Sequence, residues 1–95
     1  MLKEPLDPWV ARRIIRGILA SGQVGYSSHA LEEMAKDRLT HDDVVNVLRG
    51  GLVEPPEFDR GTWRYRVRTN RIFVVIVFRS ETELHVVTAW RVKKR

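Results

Sequence analysis

The 95-residue sequence contains no cysteine. That excludes a disulfide framework and thiolate metal sites, and it fits a reducing, cytoplasmic setting. Long apolar runs are also missing: the longest, Ile72 to Phe78, is far too short to cross a bilayer, so no membrane association is expected. Met1 to Pro8 mixes both charges with two prolines and lacks the apolar core of a secretory signal. With neither internal repeats nor low-complexity stretches, residues 1–95 read as a single domain. Acidic residues are scarce in one region only. Residues 1–54 hold seven Lys/Arg and eight Asp/Glu, whereas residues 55–95 hold ten and four, giving charges of −1 and +6. Motifs for phosphate-cradling loops, serine nucleophiles and dinucleotides are absent. His29, His41 and His85 are dispersed and share no ligand spacing with carboxylates, so neither a metal nor a cofactor is expected.

What is present is a C-terminal block of strand-like segments. In Thr62 to Arg68, alternation puts Trp63, Tyr65 and Val67 on one side and Arg64, Arg66 and Arg68 on the other. Ile72 to Phe78 has no polar residue, which suits a central strand covered on both faces. Leu84 to Val92 alternates less cleanly, with Leu84, Val86, Thr88 and Trp90 against His85, Val87, Ala89 and Arg91. By that parity Arg91 and His85 share a side, and Arg64, Arg66 and Arg91 can share one sheet face. Short polar links predict an antiparallel meander.

Ahead of it, Asp7-Pro8 starts a helix whose stripe is Val10, Ile14 and Ile18 with Ala11, Ile15 and Leu19, stopped by Ser21-Gly22. Its other side carries Arg12, Arg13 and Arg16. Gln23 to Tyr26 reads as a connector, and Ser27 or Ser28 caps a helix presenting Leu31, Met34 and Ala35. Thr40 to Asp43 is a capping-box pattern opening a third helix that buries Val44, Val47 and Leu48 and ends at Gly50-Gly51. Leu52 to Glu54 is a short edge strand limited by Pro55 and Pro56, and Glu57 to Gly61 a turn. Residues 1–7 and 93–95 are expected to fray. The fold class is α+β, three short N-terminal helices packed on one face of a three- or four-stranded antiparallel sheet.

A basic surface attracts polyanions, foremost nucleic acid, although the same surface can serve solubility alone. Arginine and histidine together suit one reaction. RNA is cleaved when its own 2′-hydroxyl attacks the neighbouring phosphate; guanidinium forks stabilise the phosphate charge and imidazole moves protons. His29 sits at a helix start, whose dipole favours the neutral base. Each feature has a plainer reading: the arginine row as a solvated face, His29 as a residue bonded to backbone, His41 as helix-start surface. Trp63 and Trp90 serve either as core or as platforms for bases. Composition and spacing reach a basic α+β domain, with RNA binding as one of the readings left open, and stop there.

Ser28-His29-Ala30, followed by Met34, Arg38, Leu39-Thr40, Asp43-Val44, Val47-Leu48 and Gly50, resembles the opening of the DUF4258 family. The chain from its first helix to Arg91 also resembles MqsR, a ribonuclease toxin of bacterial toxin–antitoxin pairs with a RelE-like fold. That likeness rests on Ser21-Gly22-Gln23-Val24, Asn46 to Gly50, Phe58 ahead of a basic residue, Thr62-Trp63-Arg64, and Trp90-Arg91. It implies metal-independent cleavage of messenger RNA and a cognate antitoxin as partner, with no small-molecule cofactor. The family's functional positions fall on Arg60, Arg64 and Arg91; where the MqsR pattern has a tyrosine, this chain has Phe73. Arginine stays protonated at physiological pH, so proton transfer would fall to His29 or His85. The resulting expectation is a catalytic set of His29, Arg60, Arg64 and Arg91, with Arg66, Arg68 and His85 binding RNA.

Overall fold

A computed structural model of the protein describes residues 2–93. Helix α1 (Pro8–Ser21) starts where aspartate and proline direct it: Asp7 accepts from Trp9 N–H at 2.8 Å, and Pro8 loses no bond in the first turn. Ala11, Ile15 and Ile18 are buried, and Gly22 caps the end. Helix α2 (Ser28–Lys36) is capped by Ser27. Helix α3 (His41–Gly50) has the reciprocal box, with Thr40 N–H on Asp43 Oδ2 at 2.9 Å and Asp43 N–H on Thr40 Oγ1 at 3.1 Å. It buries Val44, Val47 and Leu48, as its spacing requires.

The strands are β1 (Gln23–Tyr26), β2 (Leu52–Val53), β3 (Glu57–Asp59), β4 (Thr62–Arg68), β5 (Ile72–Ser80) and β6 (Glu83–Arg91). Their order is β1-β6-β5-β4-β2, with β3 also on β4. The β4–β5–β6 meander is antiparallel, and β2 is the expected edge strand. The sheet nevertheless differs from a three- or four-stranded antiparallel one. Gln23 to Tyr26 is a strand, parallel to β6 from Gln23 opposite Glu83 to Tyr26 opposite Val86. No local turn announces a pairing between segments so distant in sequence. Glu57 to Gly61 is half of a hairpin: β3 returns into β4 through Arg60 and Gly61, at φ 51° and 82°, as a two-residue hairpin turn demands.

One hydrophobic cluster lies between the helices and a single sheet face, built from Tyr65, Val67, Val74, Ile76, Leu84 and Val86 on the sheet side. Strand β5 is not covered on both faces. Ile72, Val74, Ile76 and Phe78 are buried, while Phe73, Val75 and Val77 are only half-buried, because among the described residues no second layer packs over them.

Register between β5 and β6 shifts twice, once near the hairpin between Phe78 and Ser80 and once in mid-strand. Val75 pairs with Thr88 and Ile76 with Val86, so Val87 is an extra residue, and the side chains beyond it change face. Ser27 secures this bulge. Its N–H donates to the Val86 carbonyl at 3.0 Å and its hydroxyl to the Val87 carbonyl at 3.0 Å, while Oγ accepts from Ala30 N–H at 3.0 Å. Helix α2 thus takes over the β6 edge where β1 stops pairing. Such an edge position narrows its apolar stripe: Ala30 and Met34 are buried, but Leu31 is 54% exposed and Ala35 is exposed.

The segment before α1, expected to fray, is instead held by the largest fully buried side chain. Tyr65 accepts from Leu6 N–H at 2.9 Å and donates to Glu4 Oε2 at 3.0 Å, and Leu6 is buried. Of the other residues expected to fray, Met1, Lys94 and Arg95 lie outside the described residues. Tyr65→Phe should cost roughly 1–3 kcal/mol in denaturant unfolding, because the Leu6 N–H then loses its acceptor inside the core. Burial pushes the Tyr65 hydroxyl up from 10.0 to about 12. Since the unfolded chain ionises first, wild-type stability should be level below pH 10.0 and fall as pH rises towards about 12. Tyr65→Phe should flatten that fall; an identical alkaline slope in the variant would contradict the assignment.

Candidate functional site

The uncovered sheet face is ordered as a grid. Strand β4 supplies Arg64, Arg66 and Arg68; β5 supplies Val77, Val75 and Phe73; β6 supplies His85, Thr88 and Trp90. The pairs Arg66–Val75–Thr88 and Arg68–Phe73–Trp90 follow directly from the register. Val77 pairs with His85, and extending the β4–β5 register by one residue sets Arg64 opposite Val77. The face is therefore a column of guanidiniums, an apolar column, and a column bearing an imidazole, a hydroxyl and an indole.

Phe73 and Trp90 stack with ring centroids 5.2 Å apart and planes 2° from parallel, and the Arg66 guanidinium lies 5.6 Å from the Phe73 centroid. Carboxylates hold the arginines unequally. Arg68 Nε meets Glu54 Oε2 at 2.6 Å, whereas Arg66 reaches Glu54 and Glu57 only at 3.7 and 4.0 Å, and Arg64 reaches Asp59 at 3.7 Å. Loose exposed pairs of this kind are worth about 0–1 kcal/mol, so an incoming anion displaces them at little cost. Arg64 is also under-satisfied, since its Nε–H is buried with no acceptor. A recess of about 280 Å³ opens between Arg64, Arg66, Val75 and the β3 hairpin. At the other end a recess of about 570 Å³ lies beside Phe73 and Trp90, walled by Glu33, Lys36 and Asp37 of α2.

His85 is seated rather than free. Its Nε2 is 3.2 Å from Glu83 Oε2, and its ring lies across Gly25 of the neighbouring strand. A methyl group at residue 25 would come within 2.7 Å of Nε2, so only glycine leaves room for this ring position.

Of the residues expected to act together, Arg64, Arg66, Arg68 and His85 share this face. Arg91 does not. The Val87 bulge turns it to the helical side, opposite Ile72, where its Nε donates to the Asp37 carbonyl at 2.8 Å and its Nη2 to the Arg38 carbonyl at 3.4 Å. Its N–H donates to Asp37 Oδ2 at 2.7 Å, and Asp43 Oδ2 lies 4.0 Å from Nη2. Arg60 is spent on the hairpin turn, at the tip of β3–β4, and is exposed there. His29 is exposed on α2, one turn before Glu33, with no hydrogen bond or ion pair to any of these arginines. Arg60, Arg64 and Arg91 therefore do not converge on one phosphate. Trp63 is also off the face: it points to the core side and packs edge-on against Phe58, 5.1 Å between centroids.

One pairing escaped the sequence reading. Tyr26 OH is hydrogen-bonded to His41 Nδ1, their rings edge-to-face at 5.6 Å, which ties the end of β1 to the start of α3; burial raises the Tyr26 pKa. His41 is thus more than helix-start surface. The first turn of α3 also holds Asp43, whose carboxyl the Thr40 backbone and hydroxyl, with Arg91, keep below the usual range.

The class so defined is an α+β domain with its helices on one side of an open mixed sheet and a charged, aromatic-bearing face on the other. A family model described as "Domain of unknown function (DUF4258)" matches residues 26–91, from the end of β1 to the end of β6, and the chain belongs to that family. Helix α1 and the first three residues of β1 precede the match. No curated protein and no solved structure matches significantly. Among the described residues no helix is long and apolar enough to cross a membrane.

Arg91 sits where a helix end needs it. Arg38 follows α2 at φ 53°, with Leu39 N–H on the Met34 carbonyl at 2.8 Å, a turn that normally takes glycine. Arg91 donates to the carbonyls that turn exposes. Arg91→Ala should lower stability by roughly 1–2 kcal/mol, about 4–8 °C per kcal/mol in thermal melts. Arg38→Gly should raise it by up to about 1 kcal/mol by removing the strained φ. An Arg91→Ala melt equal to wild type would show that the contacts carry no load.

Proposed function

We propose that the uncovered sheet face binds single-stranded RNA, and that the chain acts on messenger RNA as the toxin-type endoribonuclease partner of an antitoxin, a RelE-like relative of MqsR. The observation that carries the RNA reading is the alignment of the Arg64–Arg66–Arg68 column beside the Phe73–Trp90 stack. Phosphates follow a line of guanidiniums, and bases stack on aromatic faces whatever their sequence. Strand spacing puts the two outer columns about 10 Å apart, close enough for one nucleotide's phosphate and base to meet both. Of the motifs that resemble MqsR, only Arg64 and Trp90 stand on the two outer columns of this face, and Phe73 stands between them where that pattern has a tyrosine.

Phe73 also favours a second reading. Without the hydroxyl the face lacks one proton donor, which suits an RNA-binding module that does not cut. The two readings share the binding surface and differ in turnover.

Fluorescence anisotropy with a single-stranded RNA oligonucleotide tests the shared part. Log affinity should fall with log salt at a slope of about −0.7 per neutralised phosphate, so about −2 if the three arginines are engaged. Arg66→Ala should reduce that slope by about 0.7, and Trp90→Ala should weaken binding by about fivefold or more at every salt concentration. Glu57→Gln, which removes a competing carboxylate, should strengthen it. Undetectable or salt-insensitive binding overturns the RNA reading; growth arrest on induced expression, relieved by Arg64→Ala with Arg66→Ala, is the outcome the toxin reading requires.

A further inference from the structure

We propose that His85 is the group that takes up the proton in RNA cleavage on this face, with Glu83 and Gly25 as the positioning residues that aim its ring. This rests on the RNA reading of the same face and goes beyond it by naming the proton acceptor. Three features place the imidazole. Glu83 Oε2 lies 3.2 Å from Nε2, and a carboxylate only accepts, so a neutral ring carries its proton on Nε2 and keeps the Nδ1 lone pair available. Nδ1 has no hydrogen-bond partner among the described residues. The ring tip, Nε2 with its two neighbouring carbons, lies over Gly25, where an added methyl would come within 2.7 to 3.0 Å of those atoms. The side chain is 27% exposed, so the ring is held yet reachable.

Across Val77 stands Arg64, with its loose Asp59 contact at 3.7 Å and its unpartnered Nε–H. Two strand spacings, about 10 Å, separate the backbones of Arg64 and His85; the Arg64 guanidinium rests by Asp59 on the β3 side, and once released from that loose pair it is long enough to swing over Val77. A phosphate on the Arg64 fork would thus bring the adjoining ribose beside the imidazole, above the apolar floor of Val77. His85 Nδ1 accepts the 2′-hydroxyl proton as the 2′-oxygen bonds to phosphorus and the bond from phosphorus to the 5′-oxygen breaks. The departing 5′-oxygen takes a proton from water, and the hydroxide so formed takes the proton from the imidazolium. The products are a 2′,3′-cyclic phosphate and a 5′-hydroxyl, and His85 is restored.

The full-length protein should be assayed for both binding and cleavage of one single-stranded RNA oligonucleotide. Wild type should yield cyclic phosphate ends, and an oligonucleotide with 2′-deoxyribose at the cut position should bind but remain whole. His85→Ala should cut about 10²–10³-fold more slowly with affinity within about twofold of wild type, and added imidazole should restore part of the rate. Glu83→Gln and Gly25→Ala should each slow cleavage less, again without loss of affinity. Should His85→Ala fail to fold, His85→Asn replaces it, with circular dichroism as the control. Cleavage by His85→Ala at the wild-type rate overturns the assignment, as does wild-type protein that binds RNA and never cuts it. Absence of RNA binding by wild type would instead remove the RNA reading itself, so the two failures are distinguishable.

Discussion

Strand β6 must satisfy different neighbours on its two edges and at its two ends, and the extra residue at Val87 is how it does so. Its first half pairs with β1, its second half is covered by α2, and β5 runs along the whole of its other edge. A regular strand would place Leu84, Val86, Thr88 and Trp90 together in the core. The bulge sends Leu84 and Val86 inward, then Ala89, and turns Thr88 and Trp90 outward. Ser27 fixes both carbonyls at the break while capping α2, so one hydroxyl couples the helix start to the composition of both sheet faces. The Trp90–Phe73 platform and the hydrogen bonding of Arg91 to the end of α2 are two results of the same local insertion.

Charge follows a similar logic. Divided along the chain, the molecule looks acidic in one half and basic in the other, but folding brings the halves together. Glu54, from the acidic half, sits on Arg66 and Arg68, and Asp37 and Asp43 flank Arg91. The linear split of −1 against +6 therefore overstates the potential over the sheet. Arg12 and Arg16 of α1 donate to the Gly51 and Arg49 carbonyls at 3.1 and 3.3 Å, which complements the negative end of α3. Of the exposed cations with no ion pair among the described residues, Arg60, Arg71 and Arg79 stand at the turns and strand ends of the meander. On the proposed RNA reading, cations so placed would draw the strand in from a distance and the grid on the face would set how it lies.

Helix starts, the ends of α1 and α3, and the meander were legible because their signals are local; the end of α2 at Arg38 was not, since no glycine marks it. Asp7-Pro8, Thr40 with Asp43, Gly22 and Gly51 each act within one turn of the chain. The arginine column was legible because alternation within β4 is regular. Strand β1 was not, because its partner is remote and its four residues carry little β signal of their own. The misassigned Arg91 has the same origin as the bulge itself: Val86-Val87 interrupts alternation, and nothing in sequence says which valine is the extra one. Tyr26 and His41 meet only through packing, so neither residue alone signalled the pair.

The two margins of the sheet differ in how they are closed. On one side β1 and α2 occupy the edge of β6; on the other, β4 is met by two fragments, Leu52–Val53 and Glu57–Asp59, separated by Pro55 and Pro56. No unbroken run of free backbone donors and acceptors therefore lies along that margin, and the prolines have no N–H to offer. A second copy cannot add a full strand there and template a growing fibril. This chain can keep a sheet face with an apolar central column in contact with solvent and still tolerate crowding with its own kind.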